Sequence, residues 1–159
     1  MRFVFIDRIT GLESGRSIEI LKNVSATEDV FDDHFPGHPI LPGALIVETF
    51  EQASQLLIVI SHEYTRVGRL RAVARGAFRH FVRPGDQVRV RCARTGGDDA
   101  AWAVSATAEI DGRRVASATL DFALVPAHDA DAAHAERLRE AVRVLRQPPL
   151  EARGQGAPA

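Results

Sequence analysis

The longest apolar segment of the chain runs from Ala44 to His62 and reads ALIVETFEQASQLLIVISH. Its residues are compatible with about five helical turns, and apolar side chains would lie almost all round the helix. Only a narrow stripe is polar, so other elements must cover the helix on most sides. Because Glu48, Glu51 and two glutamines interrupt the segment, it argues against a membrane span. The pattern therefore predicts the buried central helix of a globular protein.

Alternating and β-branched residues predict strands on both sides of this helix. Before it, residues 2–7 and 16–24 form two expected strands, joined by a turn around Gly11 to Gly15. After it, strands are expected at Leu70–His80, Gln87–Ala93, Ala101–Ile110 and Arg114–Leu124. The dipeptide Asp111–Gly112 is a two-residue hairpin signal. We expect the last four strands to form an antiparallel meander, giving an α+β fold in which a curled antiparallel sheet wraps a long helix.

The chain divides into a main domain at residues 1–126 and a C-terminal extension at residues 127–159. Within the extension, Ala132 to Leu145 can form an amphipathic helix with Leu138, Val142 and Leu145 on one face. The residues after Pro148–Pro149 are expected to be disordered. The extension is thus predicted to be partly helical and partly without structure.

The overall composition is that of an ordinary globular protein. Of the 159 residues, 45% are hydrophobic and 26% are charged, and the net charge is −1. This charge argues against nucleic-acid binding over the whole surface. Cys92 is the single cysteine, which excludes an internal disulfide and a cysteine metal cluster. The first eight residues do not resemble a secretion signal. We expect a cytoplasmic protein without a metal.

A histidine stands in a segment dense in prolines and glycines, FDDHFPGHPILPG, which runs from Phe31 to Gly43. Three prolines and two glycines between Pro36 and Gly43 exclude a regular helix there and favour a rigid loop. With an ordinary pKa near 6.5, His34 would be neutral often enough at pH 7 to accept a proton. A lone loop histidine is more often a surface residue, and on spacing alone His38 could serve equally well.

Glu48 is the second candidate, since a buried carboxylate is costly to ionise unless it is paired. A carboxyl group that stays protonated near pH 7 can act as a general acid. Gln52 lies one turn later and can hydrogen-bond and orient it. The alternative is a glutamate at a helix edge that reaches solvent or an arginine.

The start of the helix, at Pro42 and Gly43, supplies a third group. Unpaired amides at a helix N-terminus stabilise negative charge that develops on an oxygen. A glycine at this position lets a substrate carbonyl approach the backbone closely. A base, an acid and an oxyanion donor together would suit an elimination next to a carbonyl.

The run HFPGHPILPGALIVE, from His34 to Glu48, followed by Gln52, resembles the HFPGxPxxPGxLxxExxxQ signature of the 3-hydroxyacyl-acyl-carrier-protein dehydratases of the FabZ type. FVFIDR near the start, KNVS at Lys22–Ser25 and AFRHFVRPGD at Ala77–Asp86 are similar to other segments of that family in the same order. The resemblance covers roughly residues 3–125.

This resemblance implies a hot-dog fold and dehydration of (3R)-hydroxyacyl thioesters to trans-2-enoyl thioesters. By similarity, His34 would abstract the C2 proton, Glu48 would protonate the departing hydroxyl, and the Gly43 amide would polarise the thioester carbonyl. Phe35, Pro42 and Gln52 would complete the substrate site. The resemblance implies no cofactor, a substrate carried on the phosphopantetheine of acyl carrier protein, and sites built across a homodimer or a trimer of dimers.

Two departures from the family pattern leave the pathway open between housekeeping fatty-acid synthesis and a specialised acyl or polyene synthesis. Glu51 stands where a small apolar residue is commoner, and the extension has no counterpart in compact members. Two other functions also remain open. The first is a hot-dog acyl thioesterase, and the second is a non-catalytic partner subunit or carrier-binding scaffold.

The segment between Tyr64 and Gly85 carries six arginines and no acidic residue. Acyl carrier proteins are acidic, so Arg75, Arg79 and Arg83 are candidates for a basic docking rim. An equally good interpretation is that arginines at a strand edge keep the sheet from aggregating.

Overall fold

The computed structural model describes residues 4–33, 37–129 and 132–146. In these ranges the strands are Arg8–Glu13 (β1), Ser17–Asn23 (β2), Arg66–Phe78 (β3), Gln87–Gly97 (β4), Ala101–Ile110 (β5) and Arg113–Pro126 (β6). The helices are Val30–Asp33 (α1), Gly43–Ser61 (α2) and Ala132–Leu145 (α3). The single turn α1 was not expected from the sequence.

The central helix α2 lies one residue from its predicted bounds and is enclosed by the sheet. It contacts β2, β3, β4, β5 and β6, and Phe50, Leu57 and Ile58 on it are fully buried. By length and composition α2 could cross a membrane, with a mean hydropathy of 1.3, but here it is the core helix of the sheet. The predicted α+β arrangement, with an antiparallel sheet wrapped around a long helix, is confirmed.

The order of the strands differs from the predicted four-stranded meander. The sheet runs β1-β2-β4-β5-β6-β3 and every pairing is antiparallel. Only β4, β5 and β6 follow one another as a meander. Strand β3 leaves the end of α2 and pairs with β6 at the far edge, while β2 pairs with β4. The prediction was wrong because strand patterns carry no information about which partner a strand finds across the helix.

The first strand was also misplaced, since β1 begins at Arg8 and not at residue 2. Of the predicted strand, residues 4–7 are described, and they are not in the sheet. Phe5 and Ile6 are buried, and the Phe5 amide donates to the side-chain oxygen of Gln52 on α2, at 2.9 Å. The apolar residues that suggested a strand therefore bury against the helix.

Turn chemistry was predicted more accurately. β5 ends at Ile110 and β6 begins at Arg113, so Asp111–Gly112 forms the expected two-residue hairpin loop. Both residues have positive φ, 50° and 77°, as the tight hairpin turn requires. Between β1 and β2 the turn is centred on Gly15, with φ of 75°, whereas Gly11 lies inside β1 at an irregular pairing.

The helix of the extension forms at the predicted bounds and packs against α2. Val142 and Leu145 are buried, and Leu138 packs half-buried against the same core. The apolar face inferred from the sequence is therefore covered. The predicted disorder after Pro149 lies outside the described residues.

A reciprocal hydrogen-bonded contact fastens α2 to the beginning of β3. The side-chain oxygen of Gln55 accepts from the Gly68 amide at 3.1 Å, and its side-chain nitrogen donates to the Gly68 carbonyl. The contact requires a close approach: a Cβ on residue 68 would lie 2.6 Å from the Ile58 Cδ1 atom and 3.0 Å from the Phe122 ring. Glycine at position 68 thus permits both the packing and the hydrogen bonds.

We expect Gly68→Ala to destabilise the fold by about 1–3 kcal/mol, because the added methyl group overpacks the core beside Ile58. The matched control is Gly76→Ala on the same strand, where a Cβ would meet nothing within 4 Å. Urea unfolding of the two variants measures the difference. Equal midpoints for both variants would show that the close approach at Gly68 is not a constraint.

Candidate active site

The site begins at the N-terminus of α2. The carbonyl of Pro42 accepts hydrogen bonds from the amides of Leu45 at 2.9 Å and Ile46 at 3.3 Å. The amides of Gly43 and Ala44 come earlier in the helix, in the first turn, where amides have no carbonyl within the helix to bond to. They therefore provide donors to which the dipole of a 19-residue helix adds partial positive charge. This geometry suits an oxygen that gains negative charge.

An aromatic ring covers this helix start from the direction of β3. A Cβ on Gly43 would lie 3.1 Å from two atoms of the Phe78 ring, so the glycine admits the ring as a close neighbour. Phe78 is 53% exposed although it is a large apolar side chain. The sequence resemblance included its segment but assigned no role to Phe78. The structure adds it to the residues around Gly43.

The carboxyl group of Glu48 is held by a chain of hydrogen bonds. Gln52 donates from Nε2 to Glu48 Oε1 at 2.9 Å, and its Oε1 accepts from the Phe5 amide at 2.9 Å. Because the backbone N–H group of Phe5 can only donate, it selects the side-chain oxygen of Gln52 and leaves the side-chain nitrogen of Gln52 directed toward the carboxyl group. The hydrogen bond expected between the two side chains is present. The catalytic role of Glu48 stays a prediction.

Glu48 lines a cleft of about 300 Å³ on the outer side of α2. Val4 and Ile6 of the N-terminal segment and Leu56 of α2 supply apolar walls, and Glu51 also faces the space. Arg137 of α3 lines the space as well, so the cleft is mostly apolar but holds two carboxyl groups and a guanidinium group. Such a combination of apolar walls and a few polar groups is typical of small-molecule sites.

The pKa of Glu51 is raised from its ordinary value of 4.5, first by burial and then by the negative charge of Glu48. A hydrogen bond from Gln55 acts in the opposite direction. Residues three positions apart on a helix lie on the same face, so the charge of Glu48 is close enough to disfavour ionisation of Glu51. The departure from the family pattern at position 51 thus changes the electrostatics of the cleft.

The predicted base, His34, and its neighbour Phe35 lie outside the described residues. The alternative base His38 is described and exposed. It lines a second cavity, of about 860 Å³, together with Ile40, Phe81 and Arg83. Phe81 is 68% exposed, which makes it the most exposed large apolar side chain in the described part of the chain. In that part, no group of three or more His, Cys, Asp or Glu could hold a metal ion.

The arginines proposed for carrier docking are all exposed. Arg75 lies on β3, while Arg79 and Arg83 follow it, and Arg83 reaches the rim of the larger cavity. The Arg79 amide donates to the Val115 carbonyl at 2.7 Å, and the Arg83 amide donates to the Asp86 carboxylate at 2.7 Å. Their backbones are thus fixed while their guanidinium groups face solvent.

The chain is similar to known proteins over most of its length. The model of the FabA-like domain matches residues 1–119. A 3-hydroxyacyl-[acyl-carrier-protein] dehydratase FabZ of Nitratiruptor sp. is 35% identical over 130 residues, covering 77% of this chain and 88% of that protein. One from Campylobacter curvus is 38% identical over 130 residues, with the same coverage.

Solved structures agree on the fold. A Streptococcus mutans protein bound to acetyl-CoA superposes with a TM-score of 0.64 at 16% identity, over 79% of this chain and 94% of that one. The dehydratase heterocomplex ApeI:P from Xenorhabdus doucetiae gives 0.58 at 15% identity, over 72% and 96%. These likenesses establish the hot-dog fold of the chain.

We expect Glu51→Gln to raise the melting temperature at pH 7.5 and to have a smaller effect at pH 4. Because the pKa of Glu51 is raised on folding, the folded state binds the proton more tightly, so the free energy of unfolding falls as pH rises from about 4.5 through the folded pKa. The side-chain amide of glutamine does not titrate, so Glu51→Gln removes this loss of stability. Thermal denaturation at both pH values measures it.

The control for this prediction is Glu63→Gln, which changes the same side chain at an exposed position just after α2. A gain at pH 7.5 that is equal in the two variants, or that is larger at pH 4, would contradict the electrostatic interpretation of the cleft.

Proposed function

The chain belongs to the FabA-like domain family, and we propose that it dehydrates (3R)-hydroxyacyl thioesters carried on acyl carrier protein to trans-2-enoyl thioesters, in fatty-acid or related specialised acyl synthesis. The observation that carries the proposal is the carboxyl group of Glu48, held by Gln52 on the wall of an apolar cleft. At this position the carboxyl group can contact a bound acyl chain and serve as the proton donor that the reaction requires.

The proposed chemistry is a concerted use of one base and one acid. His34 takes the C2 proton, and the electron pair of that C–H bond forms the C2–C3 double bond. The C3–O bond breaks, and Glu48 donates its proton to the leaving hydroxyl, which departs as water. Negative charge that develops on the thioester oxygen is stabilised by the Gly43 amide. The proposed steps use only groups of the protein and no cofactor. The phosphopantetheine of the carrier delivers the substrate.

The geometry of α2 indicates that the acid Glu48 and the oxyanion donor Gly43 of one chain do not act on the same substrate molecule. Gly43 and Glu48 are five residues apart, which places them about 7.5 Å apart along the axis and roughly 140° apart around it. One thioester group would have to reach round α2 to touch both. A two-fold symmetric pair of chains removes this difficulty, because Gly43 and His34 of one chain can then face the Glu48 of the other.

The sheet offers an edge for such a pair. Strand β3 is 13 residues long, pairs with β6 on one side, and ends the sheet on the other. Ala72, Val73 and Ala74 on it are exposed. A long edge strand with exposed apolar residues favours pairing with a further strand. We therefore propose a homodimer joined along β3, either alone or as the unit of a trimer of dimers.

The proposed compartment is the cytoplasm, where acyl carrier proteins deliver their substrates.

The single cysteine, Cys92, is buried, and burial raises the pKa of its thiol to about 12. A thiol in this state is inert, so it is suited to packing and not to catalysis.

We expect His34→Ala and Glu48→Gln each to lower kcat for dehydration of a 3-hydroxyacyl carrier thioester by about 10²–10⁴-fold, the usual contribution of a general base or acid. Absorbance of the conjugated enoyl product follows the reaction, and His38→Ala serves as the control loop histidine. A loss with His38→Ala in place of His34→Ala would move the base to position 38.

Mixing the two inactive variants tests the shared site. After subunit exchange, each mixed dimer holds one site with both defects and one intact site, so roughly a quarter of the wild-type activity should return. Continued inactivity of the mixture would place both groups in one chain.

The same assay of the wild type separates the alternative functions. Release of free thiol without enoyl product would indicate a thioesterase. Wild-type activity that appears only with a second hot-dog protein would indicate a partner subunit.

We expect replacement of Arg75, Arg79 and Arg83 by glutamate to raise KM for the carrier-bound substrate about tenfold, because complementary charge speeds encounter with an acidic partner. KM for the same acyl group on N-acetylcysteamine should not change, since that substrate has no carrier. Arg89→Glu on β4 is the matched control for an exposed arginine. Equal KM values for the carrier substrate in the wild type and the triple variant would assign these arginines to solubility alone.

A further inference from the structure

We infer that α3 forms a wall of the acyl-binding cleft and limits the length of the acyl chain that the enzyme accepts. The inference rests on the proposed dehydratase function and assigns a role to the part of the chain that lies beyond the family match, which ends at residue 119. It concerns substrate selection and leaves the chemistry to Glu48 and His34.

The first support is that α3 is docked and not loosely attached. Val142 is 3% exposed and Leu145 is 8% exposed, both within the main hydrophobic core. In the middle of the helix, the Arg139 guanidinium lies 5.3 Å from the centre of the ring of Tyr64, which comes just after α2. The Ala127 amide also donates to the Thr65 carbonyl at 2.9 Å, which fixes the chain shortly before the helix. The position of α3 over α2 is therefore determined by the middle and the C-terminal half of the helix and by the segment that leads to it.

The second support is what α3 contributes to the cleft. Leu138, Ala141 and Leu145 line the same cavity of about 300 Å³ as Glu48. These residues lie three to four positions apart, so they form one stripe of the helix. The opposite face of α3 carries Glu140 and Arg143, which are exposed. Val144, on the flank of the helix, is 50% exposed and does not line the cavity. One side of the helix thus borders the cleft, and the other borders solvent.

The third support is the position of the reacting atoms. An acid that protonates the C3 hydroxyl must lie against C3, so the chain from C4 onward continues within a few ångströms of Glu48. The apolar surface available there comes from Val4, Ile6 and Leu56 on one side and from the α3 stripe on the other. The cavity is also at the small end of the range for ligand sites. Side-chain volume on α3 therefore decides how much chain fits.

The experiment compares kcat/KM for four-carbon and ten-carbon 3-hydroxyacyl carrier thioesters. Ala141→Phe fills the cleft and should lower the ten-carbon to four-carbon ratio at least about tenfold, since one extra methylene in a hydrophobic pocket already changes kcat/KM by about 10–200-fold. Leu138→Ala enlarges the cleft and should raise the same ratio. The matched control is Val144→Phe, which adds the same ring at an exposed position that does not line the cleft and should leave the ratio unchanged.

Each outcome decides a separate question. If the wild type is active and both Ala141→Phe and Leu138→Ala keep its ten-carbon to four-carbon ratio, the role of α3 is overturned while the dehydratase function stands. A ratio that falls equally in Ala141→Phe and Val144→Phe would also overturn it, because the effect would not come from the cleft. A wild type inactive at every chain length would overturn the proposed function, and this inference with it. If Ala141→Phe does not fold by circular dichroism, Leu138→Ala alone decides the matter.

Discussion

Burial of α2 inside the sheet requires each polar side chain on that helix to find a hydrogen-bond partner there, since an unsatisfied buried polar group costs about 1–3 kcal/mol. Thr49 and Ser54 return their hydroxyl groups to carbonyls one turn earlier on the helix, each at 2.8 Å. Gln55 reaches outward to both backbone groups of Gly68. The polar residues that interrupt this apolar helix are thus the points at which it is fastened, and its register against β3 follows from them.

The proposed acid belongs to the same network. Gln52 reaches outward like Gln55, but it connects the Phe5 backbone to the carboxyl group of Glu48. The N-terminal segment therefore does two things at once, because it closes one side of the cleft with Ile6 and fixes the amide that orients Glu48. The Phe5 amide bonds to the helix, whereas the Asp7 amide, two residues later, already bonds to the Leu21 carbonyl of β2. The segment therefore passes from the helix to the sheet between these two residues.

Local signals in the sequence were sufficient for the elements and not for their arrangement. The bounds of α2, α3 and the Asp111–Gly112 hairpin follow from periodicity and turn chemistry within a few residues of the chain. The place of β3 beside β6 depends on how the chain leaves a buried helix, which no local pattern encodes. The start of β3 was missed for a related reason: Gly68 weakens the strand pattern, and its place is secured by Gln55, 13 residues earlier.

The candidate site shows the same division. The four-residue spacing of Glu48 and Gln52 predicted the hydrogen bond between them, because residues one turn apart lie on one face of a helix. The ring of Phe78 over Gly43 could not be predicted, since 35 residues and a change of secondary structure separate the two. Glu51 was noticed only as a departure from a pattern. Its raised pKa depends on burial in a cleft that α3 helps to close, and the sequence did not indicate that α3 would lie there.

The way the cleft is built separates reaction from selectivity. Glu48 is tied through Gln52 to the Phe5 backbone, so a substitution at Glu48 or Gln52 disturbs the hydrogen bonds that join the N-terminal segment to the helix. The apolar α3 residues that face the cleft, such as Leu138 and Ala141, contribute only side-chain volume there, since the hydrogen bonds of their own backbone are made within the helix. Their size can therefore vary at small cost to the fold. An addition at the end of a family domain can in this way alter which acyl chains fit, while the acid, its glutamine and the helix N-terminus stay as they are.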